Sequence, residues 1–186
     1  MRTLLPADSE VHLFGTTSAN RGRFSGPVVG KIESLAADLK EGLAPRFSAL
    51  KFERGDYGDH GLDIVGWAPW PDAARGLPIS FAQCACTSEW ISKQASSGFD
   101  RWSQVITFEV RPHNTCFIPF DFRSDDNDWY ADHDIHSTIL IDRRRFFQRT
   151  GFLDGDTPLP ALTDAFIASL GVKAVMAGKL QDLQDI

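Results

Sequence analysis

Long hydrophobic runs, paired cysteines and an excess of positive charge are all missing from this 186-residue sequence. No apolar stretch approaches the roughly 20 residues that a membrane-spanning helix needs, so no membrane partner is expected. Only three cysteines occur, two of them in the segment CAC, which does not make a disulfide framework and indicates a reducing, cytoplasmic location. The formal net charge of −6 argues against a protein that coats nucleic acid non-specifically.

The segment MRTLLPADSEVHLFG is too acidic, and its apolar part too short, for a signal peptide. The hydrophobic content of 42% and charged content of 24% are those of an ordinary globular protein. Because the chain has no internal repeat and is long enough to bury one core, we expect a single domain over residues 1–186.

The order of the predicted elements favours an α/β (α+β) domain with a mixed central β-sheet flanked by helices. Apolar residues spaced by three and four predict a helix from Pro27 to Gly42. Two buried strands, GLDIVGW and LPISFAQCACT, flank the turn-rich APWPDAARG, which predicts a hairpin with a long connection. Further strands are expected in QVITFEV, TCFIPF and STILIDR. Helices are expected in TSEWISKQASSGF, in DRRRFFQRTGF and within residues 157–186.

The predicted hairpin carries an aspartate between apolar neighbours, which is costly for a carboxylate without a partner. Strand alternation places Asp63 on the face opposite Leu62 and Ile64, and it places Gln83 at a similar depth on the second strand. If the two strands pair, both side chains present oxygens to one point, which suits a hard cation such as Mg²⁺. A lysine close by, Lys93, would position water or stabilise negative charge in a transition state.

The segments GLDIVGW and PISFAQCACTSEWISK resemble the core of the PD-(D/E)XK superfamily of restriction-endonuclease-like nucleases. In that family an acid on one strand is followed, on the next strand, by acid-or-Gln, any residue and Lys. The resemblance implies that Asp63 is the first acid and Gln83 the second position. It also implies that Glu33, in GKIESLAADL, is the helical glutamate that often joins the metal site.

The usual lysine position of the family falls on Ala85, whose methyl group has no such chemistry. Some branches of the superfamily carry the lysine on a neighbouring helix, and the segment WISK implies Lys93 for that role. The segment ILIDRRRF also resembles a strand-to-helix element of some of these nucleases. The resemblance covers roughly residues 20–150.

The resemblance implies an endonuclease that hydrolyses DNA phosphodiester bonds with Mg²⁺ or Mn²⁺. Asp63, Gln83 and Glu33 would hold the metal and Lys93 would support the attacking water. Targeting would come from a homo-oligomer or an accessory protein subunit, as in bacterial defence systems or mobile elements.

Arginines form the main basic concentrations of the sequence. We expect phosphate contacts from Arg21 and Arg23 in the loop before the first helix, and from Arg145 and Arg149 one helical turn apart. Pairing of these arginines with nearby acids is the alternative.

Other interpretations stay open at this point. Glu33 fits an exposed helix acid and Gln83 a core amide, while the segment DWYADHDIHST fits a solvated acidic loop or a His-x-x-His metal site at His133 and His136. A nuclease fold without catalysis, used for assembly or nucleic-acid binding, is one alternative function. A metal-dependent hydrolase of a small phosphate or nucleotide is another.

Overall fold

The structure is a computed structural model that describes residues 1–15, 22–52 and 58–150. Its strands are β1 (Glu10–Leu13), β2 (Gly42–Leu43), β3 (Ile64–Trp67), β4 (Ile79–Cys84), β5 (Ile106–Thr107), β6 (His113–Phe117) and β7 (Ile139–Ile141). Its α-helices are α1 (Val28–Asp38), α2 (Trp90–Lys93), α3 (Phe99–Trp102) and α4 (Arg143–Thr150), with 3₁₀ turns at Arg2–Leu4, Phe47–Ala49 and Asp132–Asp134. The helices predicted within residues 157–186 lie outside the described residues.

Five strands form one mixed sheet in the order β1-β3-β4-β6-β7. The pairs β1–β3 and β3–β4 are antiparallel, whereas β4–β6 and β6–β7 are parallel. The predicted α+β class with a mixed central sheet is therefore confirmed. The three parallel strands end at one edge of the sheet, where β3 begins, and we call this the carboxyl edge.

The predicted hairpin with a long connection is confirmed in β3 and β4. Ile64, at the end of the paired stretch, lies opposite Ala82. The N–H of Asp63 donates to the Ala82 carbonyl at 3.0 Å, one residue out of that register, so Asp63 stands just outside the ladder, beside the end of β4. Strand β1, which the sequence pattern did not predict, extends the sheet on the other side of β3.

Layers of helix and loop cover both faces of the sheet. The buried face of α1 joins β3, β4 and α3 in the larger hydrophobic core, which contains Phe14, Ile32, Leu35, Val65, Phe81 and Trp102. On the opposite face the N-terminal segment approaches so closely that a Cβ at Gly66 would lie 2.5 Å from Leu5. Arg149 of α4 donates to the Thr3 carbonyl at 2.7 Å, which joins α4 to this segment.

Two expectations about element bounds were wrong. Helix α1 ends at Asp38 rather than Gly42, because the chain reverses through Lys40 in the left-handed region (φ 58°). In QVITFEV only Ile106–Thr107 is a strand, and it pairs with β2 in a separate sheet. The buried Glu41 carboxylate holds this region, accepting from Arg75 at 2.6 Å and from the N–H of Glu109 at 3.1 Å.

Membrane insertion was not expected from the sequence. Within the described residues, no helix is both long and apolar enough to cross a bilayer.

Candidate functional site at the carboxyl edge

The backbone of Asp63 is fixed from both neighbouring strands. Its carbonyl accepts hydrogen bonds from the N–H groups of Phe14 and Gly15, at 2.8 and 3.2 Å. Its side-chain Oδ2 accepts the N–H of Cys84 at 2.7 Å. Gly15 also packs against the carboxylate, since a Cβ there would lie 3.1 Å from Oδ1. The carboxylate therefore has one defined position, half-buried at the carboxyl edge.

Burial raises the pKa of the Asp63 carboxyl above its ordinary value, and the nearby charge of Asp59 raises it further. The hydrogen bond from Cys84, the positive charge of Lys93 and a hydrogen bond from the Gln83 side chain oppose this rise. The two effects that raise the pKa outweigh the three that lower it. The charged form of Asp63 is therefore held at a free-energy cost in the absence of a cation, which is a recurrent property of functional carboxylates.

Gln83 lies beside Asp63 with both ends of its amide engaged. The hydroxyl of Ser96 donates to Gln83 Oε1 at 3.2 Å. Because an amide oxygen cannot donate, the hydrogen bond that Gln83 gives to Asp63 comes from its NH₂ group. The structure thus brings together the two residues that the sequence pattern had paired.

Helix α2 and the turn after it place Lys93 and Ser96 at the same edge. Trp90 of α2 packs into the smaller core with Ala85, Cys116 and Leu140. The buried Gln94 holds the end of α2, donating to the Asp134 carbonyl at 2.7 Å and accepting the N–H of His136 at 3.0 Å. Lys93 itself is half-buried and close enough to Asp63 to stabilise its negative charge.

A second carboxylate of the site, Asp59, was missed by the sequence analysis. Asp59 Oδ1 accepts the N–H of Gly61 at 2.7 Å, and this closes a tight turn in which His60 and Gly61 have φ values of 51° and 76°. Asp59 lies near enough for its negative charge to raise the pKa of Asp63. The segment GDHGLD, two aspartates four residues apart around a glycine, is the signal that could have identified it.

Glu33 is exposed on α1, and the charged groups that act on Asp63 are Asp59 and Lys93 rather than Glu33. The α1 residue that turns inwards is Lys31, which is 3% exposed. Its Nζ donates to the carbonyls of Gly58 at 2.9 Å and Phe14 at 3.4 Å, on either side of the Asp63 segment. The role of Glu33 as a metal ligand stays a prediction, without support from its position.

The arginines predicted to contact phosphates lie in different surroundings. Arg23 forms a two-point ion pair with Asp38 at 2.5 Å, and Arg21 lies outside the described residues. Arg145 donates to the Leu140 carbonyl at 2.9 Å, and burial lowers its pKa. Arg149 is exposed beyond its bond to the N-terminal segment. Phosphate contacts from these side chains stay a prediction.

The histidine of the acidic loop and the cysteines were the other candidate groups of the sequence. His133 is 80% exposed in the acidic 3₁₀ turn, where Asp132 and Asp134 lie 3.9 and 3.8 Å away. Burial raises the pKa values of the Cys84 and Cys116 thiols to about 12, so both are neutral at physiological pH. Both cysteines therefore act as small apolar side chains.

Oxygen donors at the carboxyl edge match a hard cation in kind. Asp63 and Asp59 offer carboxylates, whereas Gln83 turns its amide oxygen to Ser96. Carboxylates are ligands that Mg²⁺ completes with water and substrate phosphate. In the described part of the chain, no three His, Cys, Asp or Glu side chains are grouped closely enough to hold a metal ion. A cation at this edge therefore stays a prediction.

Comparison with known proteins does not assign the chain to a family. The chain matches no protein-family model, no curated protein and no solved structure.

Proposed function

We propose that this protein is a metal-dependent endonuclease of the restriction-endonuclease-like, PD-(D/E)XK type that hydrolyses DNA phosphodiester bonds. The observation that carries the proposal is the arrangement at the carboxyl edge. Asp63 has a hydrogen bond from the Gln83 side chain, a pKa that burial raises, and Lys93 within electrostatic reach. The mixed sheet and the position of the hairpin agree with the core that the resemblance implies.

In this proposal Asp63 and Asp59 would hold Mg²⁺ or Mn²⁺, together with the oxygen of Gln83 after rotation of its amide. When bound, the cation polarises the scissile phosphate and orients it. Asp63, whose charge burial disfavours, would be stabilised in its ionised form by a bound cation.

Lys93 supplies a positive charge beside the scissile phosphate in this proposal. Its ammonium group sits on the short helix that directly follows β4, so it reaches the same edge as the carboxylates. A cation so placed stabilises negative charge as it develops on the phosphoryl oxygens. Ala85, the position of the lysine in most of the family, is fully buried and has no part in this chemistry.

Binding of DNA requires local positive charge, because the chain as a whole carries −6. Arg149 is exposed on α4, which begins just beyond β7 at the carboxyl edge, and we propose that it positions the DNA backbone. Targeting by an accessory subunit or by oligomerisation, and a cytoplasmic role in a defence or mobile-element system, rest on the resemblance alone.

Cleavage of supercoiled plasmid tests the proposal. The wild-type protein is expected to nick or linearise the plasmid in Mg²⁺ or Mn²⁺ but not in EDTA, and Asp63→Asn is expected to abolish this. Asp100→Asn, at an aspartate whose side chain is 95% exposed, is the matched control and should cleave normally. Cation-independent cleavage, or full activity of Asp63→Asn, would contradict the proposal.

A second candidate function is a nuclease-like fold without catalysis, used for assembly or nucleic-acid binding. It is favoured by the hydrogen bond between Asp63 and Cys84, which gives the carboxylate a structural use at the end of the hairpin. This candidate predicts that Asp63→Ala lowers only the stability, and that calorimetry detects no binding of Mn²⁺.

A further inference from the structure

The hydroxyl of Ser96 lies between two acceptors at the candidate site. Its Oγ is 3.2 Å from Gln83 Oε1 and 2.5 Å from the carbonyl oxygen of Lys93. A serine hydroxyl has one hydrogen and two acceptor lone pairs, so it cannot donate fully to both oxygens. The shorter of the two contacts is the one to Lys93.

Ser96 is held at this place by the approach of another segment. A Cβ at Gly61 would lie 2.8 Å from both the Cβ and the carbonyl oxygen of Ser96, so only glycine fits between Ser96 and the turn that leads to Asp63. The N–H of Ser96 also donates to the Lys93 carbonyl at 3.0 Å. The hydroxyl therefore stays beside Gln83 whatever the orientation of the amide.

The observed orientation of the Gln83 amide is the reverse of the one that a metal ligand needs. Its oxygen points to Ser96, which leaves its NH₂ group for the hydrogen bond to Asp63. A cation held by Asp63 would meet N–H donors there instead of the oxygen. Rotation of the amide by half a turn exchanges the two ends and brings the oxygen to the carboxylate.

Ser96 can serve both orientations, but not equally. With the oxygen of Gln83 towards Ser96, the one hydroxyl hydrogen goes either to that oxygen or to the Lys93 carbonyl, so the hydroxyl makes one full bond. With the NH₂ group towards Ser96, the hydroxyl accepts from the amide and donates to the Lys93 carbonyl, so it makes two bonds. The contact of 2.5 Å to Lys93 is already in place for the second arrangement.

We propose that Ser96 is a positioning residue that stabilises the rotated Gln83 amide and thereby aims its oxygen at a divalent cation bound by Asp63. This inference rests on the proposed function, since it concerns the same cation. In the cation-free protein the amide donates to Asp63 and shields its charge. Cation binding reverses the amide, and Ser96 accepts the NH₂ group that the carboxylate releases.

The experiment measures Mg²⁺ affinity by calorimetry for the wild type, Ser96→Ala, Gln83→Glu and the double variant. Ser96→Ala is expected to weaken binding by about two- to tenfold, the effect of one lost hydrogen bond. Ser92→Ala is the matched control, because the exposed Ser92 hydroxyl of α2 donates to the Glu89 carbonyl and should leave the affinity unchanged.

Gln83→Glu separates positioning from a merely structural role. A carboxylate has no NH₂ group to place, so Ser96→Ala should cost little Mg²⁺ affinity in the Gln83→Glu background. An equal loss in both backgrounds, or no loss in the wild-type background, would overturn the inference. The ¹⁵N-labelled side-chain amide of Gln83 should also shift on Mg²⁺ addition, with a smaller shift in Ser96→Ala.

The two proposals fail in different ways. Wild-type protein that binds no Mg²⁺ would overturn this inference together with the proposed cation site. Binding that is insensitive to Ser96→Ala would overturn the inference alone. Binding that depends on Ser96, without cleavage of DNA, would sustain the inference and refute the nuclease.

Discussion

Two aspartates lie at the carboxyl edge of the same sheet, and their surroundings differ. Asp142, directly after β7, is fully buried and accepts from Arg123 at 2.8 Å and from the N–H of Arg145 at 2.9 Å. Asp63, directly before β3, receives one backbone N–H and the Gln83 amide, with a second acid, Asp59, close by. Asp142 is paired with a guanidinium in direct contact, whereas Asp63 is not.

The difference separates a structural carboxylate from one suited to bind something else. Asp142 caps the start of α4 and fixes Arg123, whose guanidinium lies 3.8 Å from the centre of the Trp129 ring. That arrangement attaches the long β6–β7 connection to α4. The raised pKa of Asp63 means that folding disfavours its charge, and such a cost is typical of functional sites.

The largest expected effect is on the structural side of the comparison. Asp142→Ala should lower the free energy of unfolding by about 3–5 kcal/mol, because it leaves the Arg123 guanidinium without its partner and removes the helix cap. Urea denaturation at pH 7 measures the change. Asp100→Ala, at an exposed aspartate, is the control and should stay within about 0.5 kcal/mol. A loss of less than about 1 kcal/mol in the free energy of unfolding of Asp142→Ala would contradict the structural role assigned to Asp142 and its contrast with Asp63.

Lys93 differs from Arg123 in having no fixed contact with its carboxylate, so its charge remains available to a substrate. Lys93→Ala should lower the single-turnover rate of DNA cleavage by about 100-fold, the effect of losing one transition-state donor. Stability and Mn²⁺ affinity should change little. Lys51→Ala, at an exposed lysine, is the control. Wild-type cleavage by Lys93→Ala would remove Lys93 from the mechanism.

Asp63→Asn should be at least as stable as the wild type at pH 7 without divalent cations. Because burial raises the folded pKa of Asp63, its contribution to stability is fully present below the ordinary value of 3.8 and is lost as the pH rises through the folded pKa. Asparagine does not ionise, so the variant does not lose this stability. As the pH rises through the folded pKa of Asp63, its free energy of unfolding should exceed that of the wild type by about 1 kcal/mol or less.

Urea denaturation of both proteins from pH 3 to pH 8, in steps of about one pH unit, measures this difference in the free energy of unfolding. A wild type that is more stable than Asp63→Asn at pH 7 by over about 1 kcal/mol would make Asp63 a structural carboxylate like Asp142.

The smallest expected effect concerns DNA positioning. Arg149→Ala should leave stability within about 0.5 kcal/mol and reduce the slope of log binding constant against log salt by about 1, as for one lost phosphate contact. Fluorescence anisotropy at several salt concentrations measures the slope. Arg23→Ala is the comparison, because its ion pair with Asp38 already occupies the guanidinium. Equal slopes for Arg149→Ala and the wild type would contradict the proposed contact.

Local sequence patterns were enough to predict the hairpin that carries the site. Alternation fixes which residues of a strand share a face, so the two strands alone predicted that Asp63 and Gln83 could meet, and their side chains do lie in contact. The position of Asp59 could not follow from alternation, because it depends on positive φ angles in the turn at His60 and Gly61. Strand β1 was missed because four residues give too little periodicity.

Long-range contacts set the remaining features. Whether Arg145 faces DNA or stacks on Trp129, 4.4 Å away, depends on the fold of the β6–β7 connection. The exposure of Glu33 depends on the rotation of α1, in which Lys31 rather than Glu33 is buried. Neither the stacking nor the helix rotation is encoded within a few neighbouring residues.

The most direct test of the account is calorimetric titration of Mn²⁺ into the wild type and Asp63→Asn at pH 7. The account predicts binding by the wild type and none by Asp63→Asn, although the variant is folded and no less stable. Binding of equal affinity in both proteins, or none in the wild type, would contradict the claim that Asp63 is kept for a cation.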